Sequence, residues 1–303
     1  MKSLLIAGAA LALITGCTMK NPLLTESSAP FGAPQFDKIE NEHYLPAFEA
    51  GIAEAKAEID AIIENEEEPT FENTIEAMEY AGETLNNVAG IFYNLMEANT
   101  NEQMQTIAEQ ISPMLTEYEM YVSLNPVLFE KVKTVYEKRN ELGLDQDQMK
   151  LLENNYKGFV RGGANLSDED KELYSKWSEE LSLTTLQFSK NVLAATNAYV
   201  LNITDEADLA GLPEFVRTMA AETAAEKGLE GWAFTLDAPS YSPFLKYSEK
   251  RDLRKDIWTA YNTRAIGGEF DNTEIVKKIV DLRIKIANIL GYETYADYAL
   301  EER

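Results

Sequence analysis

The stretch 44–69, YLPAFEAGIAEAKAEIDAIIENEEEP, decides the fold. From Tyr44 onward, Phe48, Ile52, Ala55, Ile59, Ile62 and Ile63 recur at the 3.6-residue period of an α-helix, so one face seeks a core and the other faces water. Glu64, Glu66, Glu67 and Glu68 before Pro69 form a solvated turn that ends the helix. The same period runs through most of the remaining chain and predicts a mainly α protein.

Downstream, Asn73 with Glu76 predicts a capping box, followed by a helix with Ile75, Met78, Leu85, Val88, Phe92 and Leu95 on its apolar side. A third helix from about Asn101 carries Met104, Ile107, Ile111, Met114 and Leu115, and Pro113 is expected to kink it. Asn125-Pro126 opens the next helix by placing proline at its first position; Gly143 closes it, and another runs from Asp145 to Phe159. Gly162-Gly163 breaks the chain. Ser167-Asp168-Glu169-Asp170 then starts the longest helix, whose expected buried face includes Leu173, Trp177, Leu181, Leu186, Phe188, Val192 and Leu193.

The period changes once. Tyr199, Leu201 and Ile203 alternate with other residues, as do Trp232, Phe234 and Leu236, which predicts a small β element near 199–236 around a helix from Pro213 to Gly228. After Pro239 and Pro243 the helical pattern returns over 249–265 and 272–290, the latter closed by Gly291. Thr294 caps a further helix with Asp297 at its third position. Its pattern reaches Arg303 after barely two turns, with Glu301 and Glu302 at the negative end of the dipole, and reads as an element cut short.

Upstream, Lys2 and the apolar run from Leu4 to Ile14 precede Thr15-Gly16-Cys17, the order of a bacterial lipoprotein signal. The run is shorter than the roughly 20 apolar residues that span a bilayer. Residues 1–16 are therefore expected to be a cleaved signal, with Cys17 as the lipid-attachment residue. Residues 17–35, rich in Pro, Ser, Ala and Gly, are expected as a flexible tether. This predicts an exported lipoprotein on the periplasmic side of the cell envelope, membrane-bound through Cys17 alone.

With 45% hydrophobic and 26% charged residues among 303, the chain can build a globular core without disulfides, which its one cysteine could not form in any case. The net charge of −25 opposes binding to nucleic acid or anionic lipid, both of which need clustered Lys or Arg. Solubility explains the acidity, and attraction of cationic peptides is a second consequence.

Catalytic residues are scarce. The only histidine, His43, precedes Tyr44-Leu45-Pro46 and has no histidine four residues on, so the HExxH arrangement of hydrolytic zinc sites is absent from these 303 residues. His43 reads as a surface or helix-entry residue. No GxSxG elbow, GxxxxGK[ST] loop or GxGxxG loop is present, and with 52 acidic residues any carboxylate spacing arises by chance. The sequence offers no catalytic residue and no metal ligand.

Six collinear segments carry a resemblance. They are 36–48 (FDKIENEHYLPAF), 69–75 (PTFENTI), 158–166 (GFVRGGANL), 209–213 (LAGLP), 234–241 (FTLDAPSY), and Arg251-Asp252-Leu253-Arg254 together with Ala260-Tyr261 and Arg264. In order and spacing the chain resembles the thimet oligopeptidase and peptidyl-dipeptidase family of zinc metallopeptidases from about residue 36 to 303. The bacterial peptidyl-dipeptidase branch is the most similar, through LAGLP and TLDAPSY.

The resemblance implies a multi-helical N-terminal lobe of a two-lobed oligopeptidase, with a channel for short peptides. It also implies a zinc site, built from HExxH and a downstream glutamate, in a C-terminal half to which no residue here corresponds. Residues 36–303 are thus expected to end before the catalytic zinc domain, to bind no zinc and to lack peptidase activity alone. A separate C-terminal catalytic half is an alternative partner, and a non-catalytic peptide- or protein-binding lipoprotein is an alternative function. Surface that packs against the other lobe is expected to remain as an apolar patch.

Overall fold

The computed structural model of the chain describes residues 21–303. The expected signal 1–16 and Cys17 lie outside the described residues. Within the span 21–35, short 3-10 turns occur at Pro22–Leu24 and Pro30–Gly32. Leu23 packs against the first core cluster, and Asn21 Nδ2 donates to the His43 carbonyl at 2.7 Å.

Helix α1 (Tyr44–Glu64) is the central strut. Its stripe buries Phe48, Ile52, Ala55, Ile59 and Ile62, as the period predicted. After it, the wide turn Phe71–Glu76 runs into the short α2 (Ala77–Tyr80). The cap differs from the expected pair. Thr70 Oγ1 accepts from the Asn73 N–H at 3.1 Å, and Asn73 Oδ1 accepts from the Thr70 N–H at 2.8 Å, so the box closes one turn earlier than Asn73 with Glu76. The predicted single helix is also broken. Gly82 at φ +80° separates α2 from α3 (Glu83–Ala98), and its N–H is held by Glu58 Oε2 at 2.7 Å.

Helix α4 (Glu102–Ser123) is capped by Asn101 and assigned as one element through Pro113. Next come α5 (Pro126–Glu137), with Asn125 as its cap, and α6 (Gln146–Arg161), with Asp145 as its cap. Around the first half of α1, Tyr44, Phe48, Val88, Phe92 and Ile111 form one core cluster with edge-on aromatic contacts. Gly51 permits the close approach of α3, because a Cβ there would lie 3.0 Å from Leu85 Cα. A second cluster joins Ile59 and Ile62 to Phe71, Ile75, Leu128, Val132 and Leu152.

Helix α7 (Asp168–Ala198) is the longest element and lies between α4 and α11 (Thr273–Ile289). Its face is less buried than expected. Only Tyr174 and Thr184 are fully covered; Leu173 is exposed, and Trp177, Leu181, Leu186, Phe188, Val192 and Leu193 are half-buried. One side of this helix has no neighbour within the described residues to bury it.

The small β element is present as β1 (Leu201–Ile203) and β2 (Trp232–Phe234), paired antiparallel with Leu201 opposite Phe234. Helix α8 (Glu214–Glu226) joins them, and α9 (Ala238–Tyr247) and α10 (Arg251–Asn262) complete a separate cluster with Val216, Phe234, Phe244 and Ile257 at its centre. Helix α9 was not expected. Pro239 sits in its first turn, where no intrahelical N–H bond is required, and Pro243 costs one bond further in. Gly291 at φ +89° ends α11, and Thr294 with Asp297 caps α12 (Tyr295–Leu300). No described helix is long and apolar enough to cross a membrane.

Candidate functional site

His43 is a helix-entry residue. Its Nδ1 accepts the Glu40 N–H at 2.9 Å, closing the turn that feeds α1, so the imidazole is used in capping. Among the described residues, no group of three or more His, Cys, Asp or Glu could hold a metal ion. The zinc centre implied by the resemblance therefore does not fit the donor set: a single imidazole already bonded to the backbone, with no neighbouring carboxylate cluster, cannot supply three ligands.

Residues of the resemblance segments instead take part in two side-chain clusters. In the first, Arg161 at the end of α6 reaches the C-terminal elements. Its Nη1 donates to Tyr292 Oη at 3.1 Å, its Nη2 donates to the Tyr298 carbonyl at 2.8 Å, and its guanidinium lies 4.3 Å from the Tyr298 ring centre. Glu301 accepts from both Arg161 and Tyr292. These bonds hold the Glu301 carboxyl below the ordinary glutamate range, first through the Tyr292 hydroxyl and then through Arg161. Burial pushes the Tyr174 hydroxyl well above its usual range, reinforced by Tyr298 and Glu119. The cluster fastens α12 to the helical body.

The second cluster is a column. Tyr241 of α9 stacks on Tyr261 of α10 with ring centres 4.2 Å apart and planes 17° apart, and the Arg264 guanidinium lies 3.7 Å from the Tyr261 centroid. Arg264 Nη1 reaches Thr196 Oγ1 at 3.5 Å, and its Nε is buried without a hydrogen-bond partner. Ala265, at φ +54°, turns the backbone immediately after it; the Asn272 N–H donates to the Ala265 carbonyl at 2.8 Å. Arg264, a fixed cation beside two stacked tyrosines, is suited to hold an anionic group.

A groove of about 630 Å³ between α4 and α7 is lined by Met114, Met120, Tyr121, Leu124, Lys176 and Glu179, among others. Neither an imidazole nor a thiol borders it. The Arg161 cluster was not legible beforehand, because its partners lie 131 to 140 positions away along the chain. The only signal was that Arg161, Tyr261 and Arg264 fell within the resemblance segments.

Residues 48–171 match the family model described as Neurolysin/Thimet oligopeptidase, N-terminal domain, and residues 244–303 match Peptidase family M3. Dipeptidyl carboxypeptidase of Escherichia coli (strain K12) is 37% identical over 94% of this chain and 42% of its own length. Oligopeptidase A of the same strain is 31% identical over 92% of this chain and 41% of its own, and Organellar oligopeptidase A, chloroplastic/mitochondrial, of Arabidopsis thaliana is 31% identical over 92% and 36%. The chain spans about two fifths of the length of these curated relatives. Collinear similarity along nearly its whole length, with matches to both family models, places the chain in peptidase family M3, where it corresponds to the N-terminal part.

Proposed function

We propose that this chain forms the non-catalytic N-terminal part of a zinc-dependent oligopeptidase acting on short peptides, one wall of the substrate channel and the scaffold beneath it, and that alone it does not hydrolyse peptide bonds. One observation carries the reading: 37% identity to a dipeptidyl carboxypeptidase runs over 94% of the chain, whose single histidine is already bonded to the Glu40 N–H. No catalytic step is assigned to any residue here. The test is elemental analysis of purified chain together with a peptidase assay on short peptides. Metal below stoichiometry and no cleavage are expected; tightly bound zinc with turnover overturns the proposal.

A second reading is a lipoprotein that binds peptides without cutting them, favoured by the Thr15-Gly16-Cys17 pattern and the Arg264 column. Both readings place the protein in the cell envelope, attached through acylated Cys17. Radiolabelled palmitate incorporation in cells should disappear in Cys17→Ser, and unchanged labelling removes the anchor from the account.

A further inference from the structure

We propose that Arg264 grips the free C-terminal carboxylate of a short peptide beside the Tyr241 and Tyr261 rings; this rests on the reading above that the chain serves short peptides, and adds which end of the peptide is held. Arg264 is a cation without a counter-ion. Several basic residues on either side of it are paired, Lys250 with Asp208, Lys277 with Glu274 and Lys278 with Glu180. Among the described residues Arg264 has no carboxylate partner: its Nη1 reaches only Thr196 Oγ1, at 3.5 Å, and its buried Nε bonds to nothing. With 52 acidic residues against 27 basic ones, carboxylates are not scarce. The nearby Asp271 is instead bonded to the Gly267 and Thr273 N–H groups. A half-buried guanidinium with unspent donors is costly, and one ligand carboxylate accepting two parallel N–H bonds removes that cost.

The seat is preorganised. The guanidinium centre is held 3.7 Å from the Tyr261 centroid, and Tyr241 backs that ring. Burial and Tyr261 raise the Tyr241 hydroxyl above its ordinary range while Arg264 draws it back, which places a second donor within electrostatic reach of the guanidinium. Ala265, in the left-handed region at φ +54°, fixes the backbone just after Arg264. Its carbonyl accepts the N–H of Asn272, whose buried side chain is tied to Asn191 and to the Phe188 carbonyl of α7. Backbone strain of this kind concentrates where a ligand is held. Two facts select the ligand. The net charge of −25 repels polyanions such as nucleotides and acidic peptides, but admits a single carboxylate on an otherwise neutral peptide. A chain end carries its carboxylate and its side chain on one carbon, which suits a cation set against a tyrosine ring and followed in the chain by Ile266, 67% exposed.

The test titrates the full chain calorimetrically with an acetylated tripeptide ending in phenylalanine, with the same peptide amidated at its C-terminus, and with that amide carrying an internal glutamate. The free acid is expected to bind at least about tenfold more tightly than the amide, the loss that follows when one charge-assisted contact is removed. In Arg264→Gln the acid should fall to the level of the amide, whose own binding stays as in the wild type. Tyr241→Phe, which keeps the ring, should weaken the acid alone and by less. Arg139→Gln, at the separate stack on Tyr136, should change neither. Circular dichroism verifies that each variant is folded, and should Arg264→Gln not fold, an unchanged preference for the acid in Tyr241→Phe overturns the inference. Equal binding of acid and amide, unaffected by Arg264→Gln, also overturns it and leaves the peptide reading standing. A glutamate-bearing amide that matches the free acid sinks it too, because the site then reads a side-chain carboxylate. If no peptide binds, the inference and peptide binding by this chain fall together, while metal analysis and the cleavage assay still decide the first functional proposal.

Discussion

Helices α1 and α7 are both amphipathic, yet they are covered very differently. In 21 residues α1 buries eight, whereas α7 has 31 residues and fully buries two. The difference lies in their neighbours. α3 and α4 flank the first half of α1, and the 71–76 turn and α5 close over the second, while α7 is packed between α4 and α11 with one side left open. An apolar stripe states that a face needs cover; it does not state whether the cover belongs to the same stretch of chain.

The largest expected effect breaks the comparison at its tight end. Phe48 is fully buried among Tyr44, Val88, Phe92 and Ile111. Phe48→Ala should cost about 3–5 kcal/mol, since the transfer energy of the ring is lost and a cavity remains. On α7, Leu183→Ala removes a side chain that is already exposed and should cost less than about 1 kcal/mol. Urea unfolding of both variants decides. Equal losses would mean that α7 is as well covered as α1.

Next in size is Gly51→Ala. The added methyl meets Leu85 backbone 3.0 Å away and must push α1 and α3 apart, at about 1–3 kcal/mol, although alanine is the better helix former. A stabilised variant would show that this crossing is looser than the geometry indicates. Comparable in size but different in kind is Arg161→Gln, which removes charged hydrogen bonds to Tyr292, Glu301 and the Tyr298 carbonyl. About 1.5–3 kcal/mol should be lost locally. Hydrogen exchange should accelerate in α12 and leave α1 protected; uniform acceleration would mean that the cluster supports the whole fold.

The mainly α class, the β1–β2 pair, the α1 stripe, the helix starts at Asn125-Pro126 and Asp145, and the caps at Ser167 and Thr294 were legible because each depends on local spacing. What escaped depends on space or on unusual backbone. The break at Gly82 interrupts an apolar period that continues across it, and Pro239 and Pro243 masked α9 by reading as breakers when one of them opens the helix. The burial of α7 could not be judged from its period alone. Of the functional assignments, the placement of His43 at a helix entry was readable from the proline three residues on, while the Arg161 cluster arises only when α6 and α12 meet.

The smallest effect sharpens the contrast between apolar and polar cover. The attachment of α12 includes the Glu301 carboxylate, held below its ordinary range by the Tyr292 hydroxyl and by Arg161. A carboxyl whose folded value is depressed contributes stability that is present above its unfolded value, near 4.5, and lost as pH falls through the folded value. Acidification from pH 5 to about pH 3 should therefore loosen α12 before the core around Phe48, whose contacts are apolar and do not titrate. NMR resolving both tyrosine and phenylalanine ring signals should show Tyr292 and Tyr298 shifting ahead of Phe48. In Glu301→Gln, which still hydrogen-bonds but carries no charge, that early step should vanish. An early step of unchanged size in the variant would assign the pH response to other carboxyls, leaving Arg161 with its aromatic and carbonyl contacts as what holds the helix.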